Sequence, residues 1–260
     1  MSPYRHRALL KELIKRDILL RYRGSVLGIS WSFLHPVIIL SIYTFVFAVV
    51  FQARWQGGSG SKTEFAVALF AGLIIFNFFA ECVNKAPTLI MSNTAYVKKV
   101  VFPLEILPIV TLASAFFHFF ISLLVWLLFY LSFFGMPPAT ITLVAVPLIP
   151  LAFIVMGLSW LLAALGVYLR DISQVVGVAT TAFLFLSPIF YPLSALPQDI
   201  QWIVHLSPLT VSVEQARDLM IWGRGINLGY WLLYLAASLT CAWLGFAFFQ
   251  RTRKGFADVI

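Results

Sequence analysis

The residues that could carry out catalysis or bind a metal are few and scattered. The four histidines, His6, His35, His118 and His205, are far apart in the sequence, and no paired carboxylates occur in the segments that connect the apolar stretches. An enzyme that acts on phosphates or sugars needs such groups, or a metal site, gathered in one place. We therefore expect no catalytic residues and no metal site in this chain.

One segment has the composition of a phosphate-binding loop but not its pattern. Residues 57–63 read GGSGSKT, whereas a P-loop has glycine immediately before its lysine, and here that position is Ser61. No strand precedes the segment. We predict a flexible turn and expect no cofactor to be bound by this chain.

Glu81 is the only carboxylate that falls inside a predicted membrane span. An ionisable residue at membrane depth is a candidate for function, for example in a carrier driven by protons or sodium. Lys85, however, follows four residues later in the favourable order for a helix, and both lie near the end of the span. A local Glu81–Lys85 ion pair is the preferred interpretation. Asp17 and Arg21 have the same spacing and could pair in the same way.

The elements that position these residues are membrane helices. Hydrophobic residues make up 61% of the chain, charged residues only 11%, and the mean hydropathy is +0.94. These values exclude an ordinary soluble protein and predict an all-α integral membrane protein. Six transmembrane helices are expected, at about residues 29–51, 65–84, 108–134, 142–168, 173–191 and 229–249.

The basic residues predict the orientation of the spans. Seven of the 18 Lys and Arg residues lie within the first 23 positions, and 14 of the 18 fall in segments assigned to the cytoplasm. The other four are Arg54, Lys62, Arg217 and Arg224. By the positive-inside rule, both termini should be cytoplasmic in a multi-pass protein of the bacterial inner membrane. The net charge of +8 then reflects topology and contact with lipid headgroups, and no nucleic acid partner is expected.

Short helices are predicted outside the spans. Residues 4–23 form an imperfectly amphipathic pattern that suits a helix at the membrane interface, although a basic tail is the alternative. Residues 93–101, which include Asn93, Tyr96, Lys98 and Lys99, suit a short helix that docks on a soluble partner or, alternatively, a solvated loop. Residues 198–206 and 210–222 should form two helices on or dipping into the outer interface.

Aromatic residues are abundant, with 25 Phe, 9 Tyr and 8 Trp. Two groups recur at helical spacing: Trp31, Tyr43 and Phe47 in the first span, and Phe183, Ser187, Phe190 and Tyr191 toward the outer end of the fifth. Sugar rings stack on aromatic faces without needing fixed charge, so such a surface suits a pore for glycans. The alternative is that these side chains pack against lipid or other helices.

Four blocks, taken in order, resemble one family. They are RYRGSVLGISWSFLHP at 21–36, VFPLEILP at 101–108, Arg170-Asp171, and SPIFYPL at 187–193. Together they closely resemble the channel-forming permeases of type-2 ABC exporters, and among these the subunits that export lipid-linked polysaccharide, particularly O antigen. The resemblance covers essentially the whole chain, as one transmembrane domain from residue 1 to 260.

The resemblance implies an assembly and a set of roles. Two copies of this chain would form the channel, and two copies of a separate ATPase subunit, which bind ATP and Mg, would dock beneath it. The first and fifth spans would line the conduit. Residues 4–23, with Tyr22, would be the interface helix, and residues 93–101 the coupling helix. Residues 198–222 would form an external gate that carries Gln198, Trp202, His205 and Trp222.

Three other functions remain open from the residues. A capsule or teichoic-acid exporter differs from an O-antigen exporter only in its glycan. A type-2 exporter of a small molecule and a membrane enzyme acting on lipid-linked sugars are the more distant alternatives.

Overall fold

Helices make up the regular structure throughout the part of the chain that the computed structural model describes, which is residues 7–52, 55, 61–97, 102–205 and 207–259. These ranges contain no strand, which confirms the all-α class. The helices are α1 Arg7–Tyr22, α2 Trp31–Tyr43, α3 Lys62–Lys85, α4 Thr94–Val97, α5 Ile106–Phe134, α6 Ala145–Tyr168, α7 Ile172–Leu186, α8 Gln198–His205, α9 Pro208–Arg217, α10 Leu228–Thr252 and α11 Phe256–Val259.

Shorter helical turns extend several of these helices. A 3-10 turn, Gly28–Ser30, precedes α2, and a π-helical segment, Thr44–Val50, continues it. A 3-10 turn at Ala139–Leu143 leads toward α6, and a π-helical segment at Asp218–Trp222 follows α9. The first span is therefore one helical rod of changing pitch that closely matches the predicted range of 29–51.

Five helical stretches in the described ranges are long and apolar enough to cross a membrane: Gly28–Phe47, Lys62–Thr88, Ile106–Phe134, Ala139–Tyr168 and Leu228–Gly255. They correspond to five of the six predicted spans. The remaining one corresponds to α7, whose 15 residues extend about 22 Å. This is shorter than a hydrocarbon core of about 30 Å, so the count of six spans stays a prediction.

Helix α3 lies at the centre of the bundle. Its apolar residues are buried around the whole circumference, from Phe65 and Phe70 to Ile75 and Phe79. The indole of Trp126 on α5 donates a hydrogen bond to the carbonyl of Val67 on α3, at 3.0 Å. A helix that is apolar on all sides must be shielded from water by lipid or by other helices, and here other helices cover α3.

Helices α6 and α10 approach each other through glycines. A Cβ atom added at Gly245 would lie 2.1 Å from the carbonyl oxygen of Gly157, and one added at Gly166 would lie 1.9 Å from that of Pro87. Small residues allow such close backbone contact between membrane helices. The α6–α10 pair and the segment after α3 are therefore packed without room for adjustment.

One end of the bundle, here called the basic end, carries α1 and the end of α10. Leu13 of α1 is buried against Ile106 and Val110 at the start of α5. Tyr168 at the end of α6 donates its hydroxyl to the carbonyl of Thr252, 3.0 Å away. The opposite end carries Trp55, the segment after α7 and the α8–α9 pair.

Two glycines mark the bend between α1 and the first span. Gly24 has φ +84° and Gly28 has φ +51°, a region that side chains strongly disfavour.

Only the first part of the predicted helix at 93–101 lies within the described residues. A 3-10 turn at Met91–Asn93 leads into the four residues of α4, and Lys98 and Lys99 lie outside the described residues. Asn93 donates its side-chain amide to the carbonyl of Leu89, at 2.9 Å, which ties it to the preceding turn.

Candidate substrate conduit and polar cavity

The structure brings three of the predicted channel residues together. The rings of Phe47 and Phe190 stack with centroids 4.9 Å apart and planes 18° apart, and Tyr43 lies 5.7 Å from Phe190. Phe185 of α7 adds a further ring, 5.5 Å from Phe190. We call Tyr43, Phe47, Phe185 and Phe190 the aromatic cluster. It connects the C-terminal half of the first span to the segment after α7.

Two other predicted channel residues keep an accessible side chain. Trp31 is 38% exposed and lines a different cavity, described below. Phe183 is 41% exposed, with its ring edge against Phe79 of α3, 6.1 Å away. Neither contributes to the aromatic cluster.

Ser187 and Tyr191 both lie at the end of α7, where they interact with its last turn. Ser187 is buried and ends α7 as its C-terminal cap residue. Tyr191 donates its hydroxyl to the carbonyls of Phe185 and Leu186, at 3.1 and 3.0 Å. These bonds satisfy carbonyl groups that the end of a helix leaves without intrahelical donors. The Tyr191 side chain therefore folds back over the end of α7.

The four predicted gate residues occupy the α8–α9 region in two different settings. Gln198 begins α8 and is exposed, Trp202 is 61% exposed, and His205 is the last residue of α8. Trp222 ends the π-helical segment after α9 and packs partly buried against the main core. Helix α9 lies inside the bundle, whereas α8 lies at the surface of the bundle.

Arg217 on α9 is the functional candidate that sequence reasoning missed. It was assigned to an external segment, yet only 1% of the residue is exposed. Its Nε donates to the carbonyl of Ala68 and its Nη2 to that of Ile189, both at 2.8 Å. Its Nη1 donates to the carbonyl of Pro188 and to the carboxylate of Glu214. A buried guanidinium needs such partners, because an unpaired charge in an apolar interior is strongly unfavourable.

Aromatic and steric contacts complete the Arg217 site. The guanidinium carbon lies 4.4 Å from the ring centre of Trp55, a cation–π distance. Gly72 on α3 makes room for it, since a Cβ there would come 2.7 Å from Nη2. Glu214, three residues earlier, is spaced to form an ion pair with Arg217 on a helix. That spacing did not indicate that Arg217 is buried.

A polar cavity of about 520 Å³ lies toward the basic end, between α1, α2, α3 and α5. Tyr22, Trp31, His35, Asn77 and Asn84 are among the residues that line it. Burial raises the pKa of the Tyr22 phenol, so this side chain stays a neutral hydroxyl. Its ring meets His118 edge-on at 6.1 Å, so Tyr22, predicted at the ATPase contact, lies at this cavity.

The wall of this cavity carries an ion-pair network around Glu81. Arg21 Nη1 lies 2.7 Å from Glu81 Oε1, and His118 Nδ1 lies 2.8 Å from the same oxygen. Arg21 Nη1 and His118 Nδ1 are 3.1 Å apart. Glu81 thus joins α1, α3 and α5.

Both local ion pairs expected from the sequence are wrong. Glu81 pairs with Arg21 rather than Lys85, and Lys85 pairs with Asp17. Each helix contributes one acid and one base a single turn apart, and the two helices run in opposite directions past each other. Each charge therefore finds its partner across the helix contact rather than along its own helix.

Tyr96 of α4 connects to α1 as well. Its ring stacks on Phe102 with centroids 4.3 Å apart and planes 8° apart. Arg16 Nη1 donates to the Tyr96 hydroxyl at 2.6 Å. The α4 segment and α1 therefore form one surface at the basic end.

No group of three or more His, Cys, Asp or Glu side chains among the described residues is placed to hold a metal ion. Cys82 and Cys241 are both free thiols.

Comparison with known proteins shows the family. The family model described as "ABC-2 type transporter" matches residues 8–221, from α1 to the π-helical segment after α9. This chain belongs to the ABC-2 type transporter family. The match includes the ion-pair network, the aromatic cluster and Arg217, whereas Trp222 and α10 lie beyond its last residue.

Relatives of this ABC-2 chain are similar over almost their whole length. An O-antigen export system permease protein RfbA from Klebsiella pneumoniae is 25% identical over 254 residues, which cover 97% of this chain and 95% of that protein. A protein of the same name from Myxococcus xanthus is 29% identical over 261 residues, covering 99% of this chain and 97% of that protein. As an ABC-2 membrane chain, the protein is a component of a transporter.

Proposed function

We propose that this chain is the membrane subunit of an ATP-driven exporter that moves lipid-linked polysaccharide, specifically O antigen, from the cytoplasm to the periplasm. The observation that carries the proposal is the end-to-end similarity to O-antigen export permeases, which leaves at most 5% of each relative uncovered. Those relatives are named as O-antigen export permeases, which gives the substrate class.

The aromatic cluster supports a glycan as the transported molecule. Its four rings join the first span to the segment after α7, and none of them is charged. Stacking on aromatic faces binds sugar rings of many kinds, and it allows release because no fixed ion pair has to break. The predicted channel residues Trp31 and Phe183 are further exposed aromatic side chains on the same two helices, outside the aromatic cluster.

Exposed apolar faces on α2 and α7 support a homodimer. Ile38, Ile42 and Phe45 in the first span, and Val178 and Phe185 on α7, are more than two-fifths exposed in the single chain. A second copy of the chain would cover part of these faces and enclose a conduit, with membrane lipids covering the rest. The remaining predicted channel residues, Ser187 and Tyr191, fix the end of α7 at this boundary.

The basic end supports docking of a separate ATPase that binds ATP and Mg. Helix α1 exposes Lys11, Lys15 and Arg16, and α4 lies beside it through the Arg16–Tyr96 contact. The Asp17–Lys85 and Arg21–Glu81 ion pairs would pass movement of α1 to α3. With the ATPase at this end, both termini would be cytoplasmic and the chain would lie in the bacterial inner membrane, as the positive-inside rule predicts.

The direct test is deletion of the gene in its native cells. Loss of surface O antigen, with lipid-linked glycan accumulating in the inner membrane, is the expected result, and a plasmid copy should restore export. Normal O antigen with loss of capsule or teichoic acid would assign a different glycan. Efflux of a small molecule with no glycan accumulation would reject polysaccharide export, and glycan turnover by the purified chain without ATP would indicate an enzyme.

A further inference from the structure

The buried Arg217 is attached to the two residues that precede Phe190. Its Nη1 donates to the carbonyl of Pro188 and its Nη2 to that of Ile189, the latter at 2.8 Å. Ile189 is fully buried, so this backbone has no access to water as an alternative partner. Backbone carbonyls in an apolar interior need a donor, and here one guanidinium supplies it to two consecutive residues.

The guanidinium itself is held on its other sides. Its Nε donates to Ala68 on α3, the ring of Trp55 covers it at 4.4 Å, and Glu214 accepts a bond at 2.9 Å. The planar fork of arginine can serve these directions at once, whereas lysine presents a single point of charge. Arg217 therefore has one position relative to α3, and it imposes that position on residues 188 and 189.

Phe190 comes directly after these two residues and occupies the middle of the aromatic cluster. Its ring lies 4.9 Å from Phe47, 5.7 Å from Tyr43 and 5.5 Å from Phe185. With its preceding backbone fixed by α9, the ring has little freedom to leave this stack. The path from Arg217 to the aromatic cluster is one hydrogen bond and one residue long.

We propose that Arg217 is the positioning residue for Phe190, so that the α8–α9 pair and the aromatic cluster move as one unit. The inference rests on the proposed function only in placing the aromatic cluster beside the conduit. Displacement of α9 relative to α3 breaks the bond from Arg217 to Ala68, carries the 188–190 backbone with it and withdraws the Phe190 ring from Phe47 and Tyr43. Opening at the outer end and widening at the aromatic cluster are then a single event.

The test observes the Phe190 ring directly. A fluorinated phenylalanine at position 190, in the purified full chain in lipid nanodiscs, gives one ¹⁹F resonance. In Arg217→Gln we expect this resonance to shift or split, because the neutral side chain cannot satisfy all of the former acceptors. Arg224→Gln is the matched control: Arg224 belongs to the same region but is 72% exposed at its side chain, and the resonance should not change. An unchanged resonance in folded Arg217→Gln overturns the proposal.

A second variant covers the case in which Arg217→Gln does not fold. Gly72→Ala keeps the arginine and introduces a Cβ 2.7 Å from Nη2, which forces the guanidinium to move. The proposal expects the ¹⁹F resonance of residue 190 to shift here too. A folded Gly72→Ala protein with the original resonance would reject it.

Export gives an independent readout. Arg217→Gln should lower export about fivefold in the wild-type background but less than about twofold in a Phe190→Ala background, because residues that act through one another are not additive. Equal losses in the two backgrounds would show that Arg217 is a general stabiliser only. If the wild-type chain exports no glycan, the proposed function fails, while the ¹⁹F result still decides the role of Arg217.

Discussion

Glu81 shows how this protein accommodates an acidic side chain in an apolar helix. Its carboxylate oxygen Oε1 lies 2.7 Å from Arg21 Nη1 of α1 and 2.8 Å from His118 Nδ1 of α5. The side chain is 20% exposed and lies beside the polar cavity. Because the carboxylate faces the cavity, it loses only part of its hydration. The interactions with Arg21 and His118 offset the free-energy cost of that loss. The side chain thus acts as a three-helix junction.

Replacing Glu81 with Gln should therefore lower the free energy of unfolding. The amide has the same size but no charge, so Arg21 and His118 lose their anionic partner, which should cost about 1–3 kcal/mol. Thermal unfolding of the purified protein in one detergent measures the change. Glu12→Gln, an exposed position on α1, is the control and should be nearly neutral. Equal stability of the two variants would mean that the Glu81 network does not hold the helices together.

Helices α1 and α3 are joined by two ion pairs in an antiparallel arrangement, Arg21–Glu81 and Lys85–Asp17. Because these pairs are partly exposed, each is expected to contribute little on its own. Their value lies in fixing the register of α1 against the bundle, since a shift by one turn would place like charges opposite each other.

A charge exchange tests this register. Asp17→Lys and Lys85→Asp each place two like charges together, while the double variant restores an attraction with the signs reversed. The double variant should therefore recover stability relative to the sum of the single changes, with a coupling of about 0.5–1 kcal/mol measured by thermal unfolding. Strict additivity of the two single changes would contradict the pairing.

The presence and approximate positions of five long apolar helices could be predicted from the sequence, whereas the pairing of charges could not. The apolar runs bounded by Gly135 or by Arg170-Asp171 fix where helices stop, because the bilayer sets their length and every backbone group must be bonded internally. Partners such as Glu81 and Arg21 are 60 residues apart and meet only through packing. Spacing along one helix suggested the nearer Lys85 instead.

The aromatic cluster was partly predictable for the same reason. Helical spacing places Tyr43 and Phe47 on one face of the first span, so their proximity follows from the sequence. Their contact with Phe190 depends on how the segment after α7 turns, which Arg217 determines from another helix. A sequence pattern within the first span contains no information about a buried arginine on α9, which is distant in the sequence.

Packing across the molecule is uneven. Helices α6 and α10 touch through the backbones of Gly157 and Gly245, and α3 is enclosed on all sides. The first span and α7, by contrast, present broad exposed faces. Movement during transport is therefore expected in the first span, α7 and the α8–α9 pair, with α3, α6 and α10 serving as a fixed frame.

The basic end should transmit the action of the ATPase to these moving parts. Lys98 and Lys99 follow α4, beyond the described residues, and reversing both charges should lower export per ATP hydrolysed by about tenfold by weakening a charged contact with the partner. Export and ATP hydrolysis of the reconstituted complex measure this. Lys62→Glu with Arg224→Glu makes the same change in net charge elsewhere and should leave the ratio intact. Unchanged transport in the Lys98 and Lys99 variant would remove these residues from the coupling role.

The contacts of Arg217 also bear on how the chain assembles as it leaves the ribosome. Trp55, Ala68, Pro188, Ile189 and Glu214, the partners named above, all precede it in the chain. A bare guanidinium within hydrocarbon is costly by at least about 2.5–3.5 kcal/mol. The receiving pocket is synthesised before the arginine emerges, so the charge can pass from water directly to its acceptors. We therefore expect α9 to insert late in biogenesis, after the helices that supply most of its acceptors.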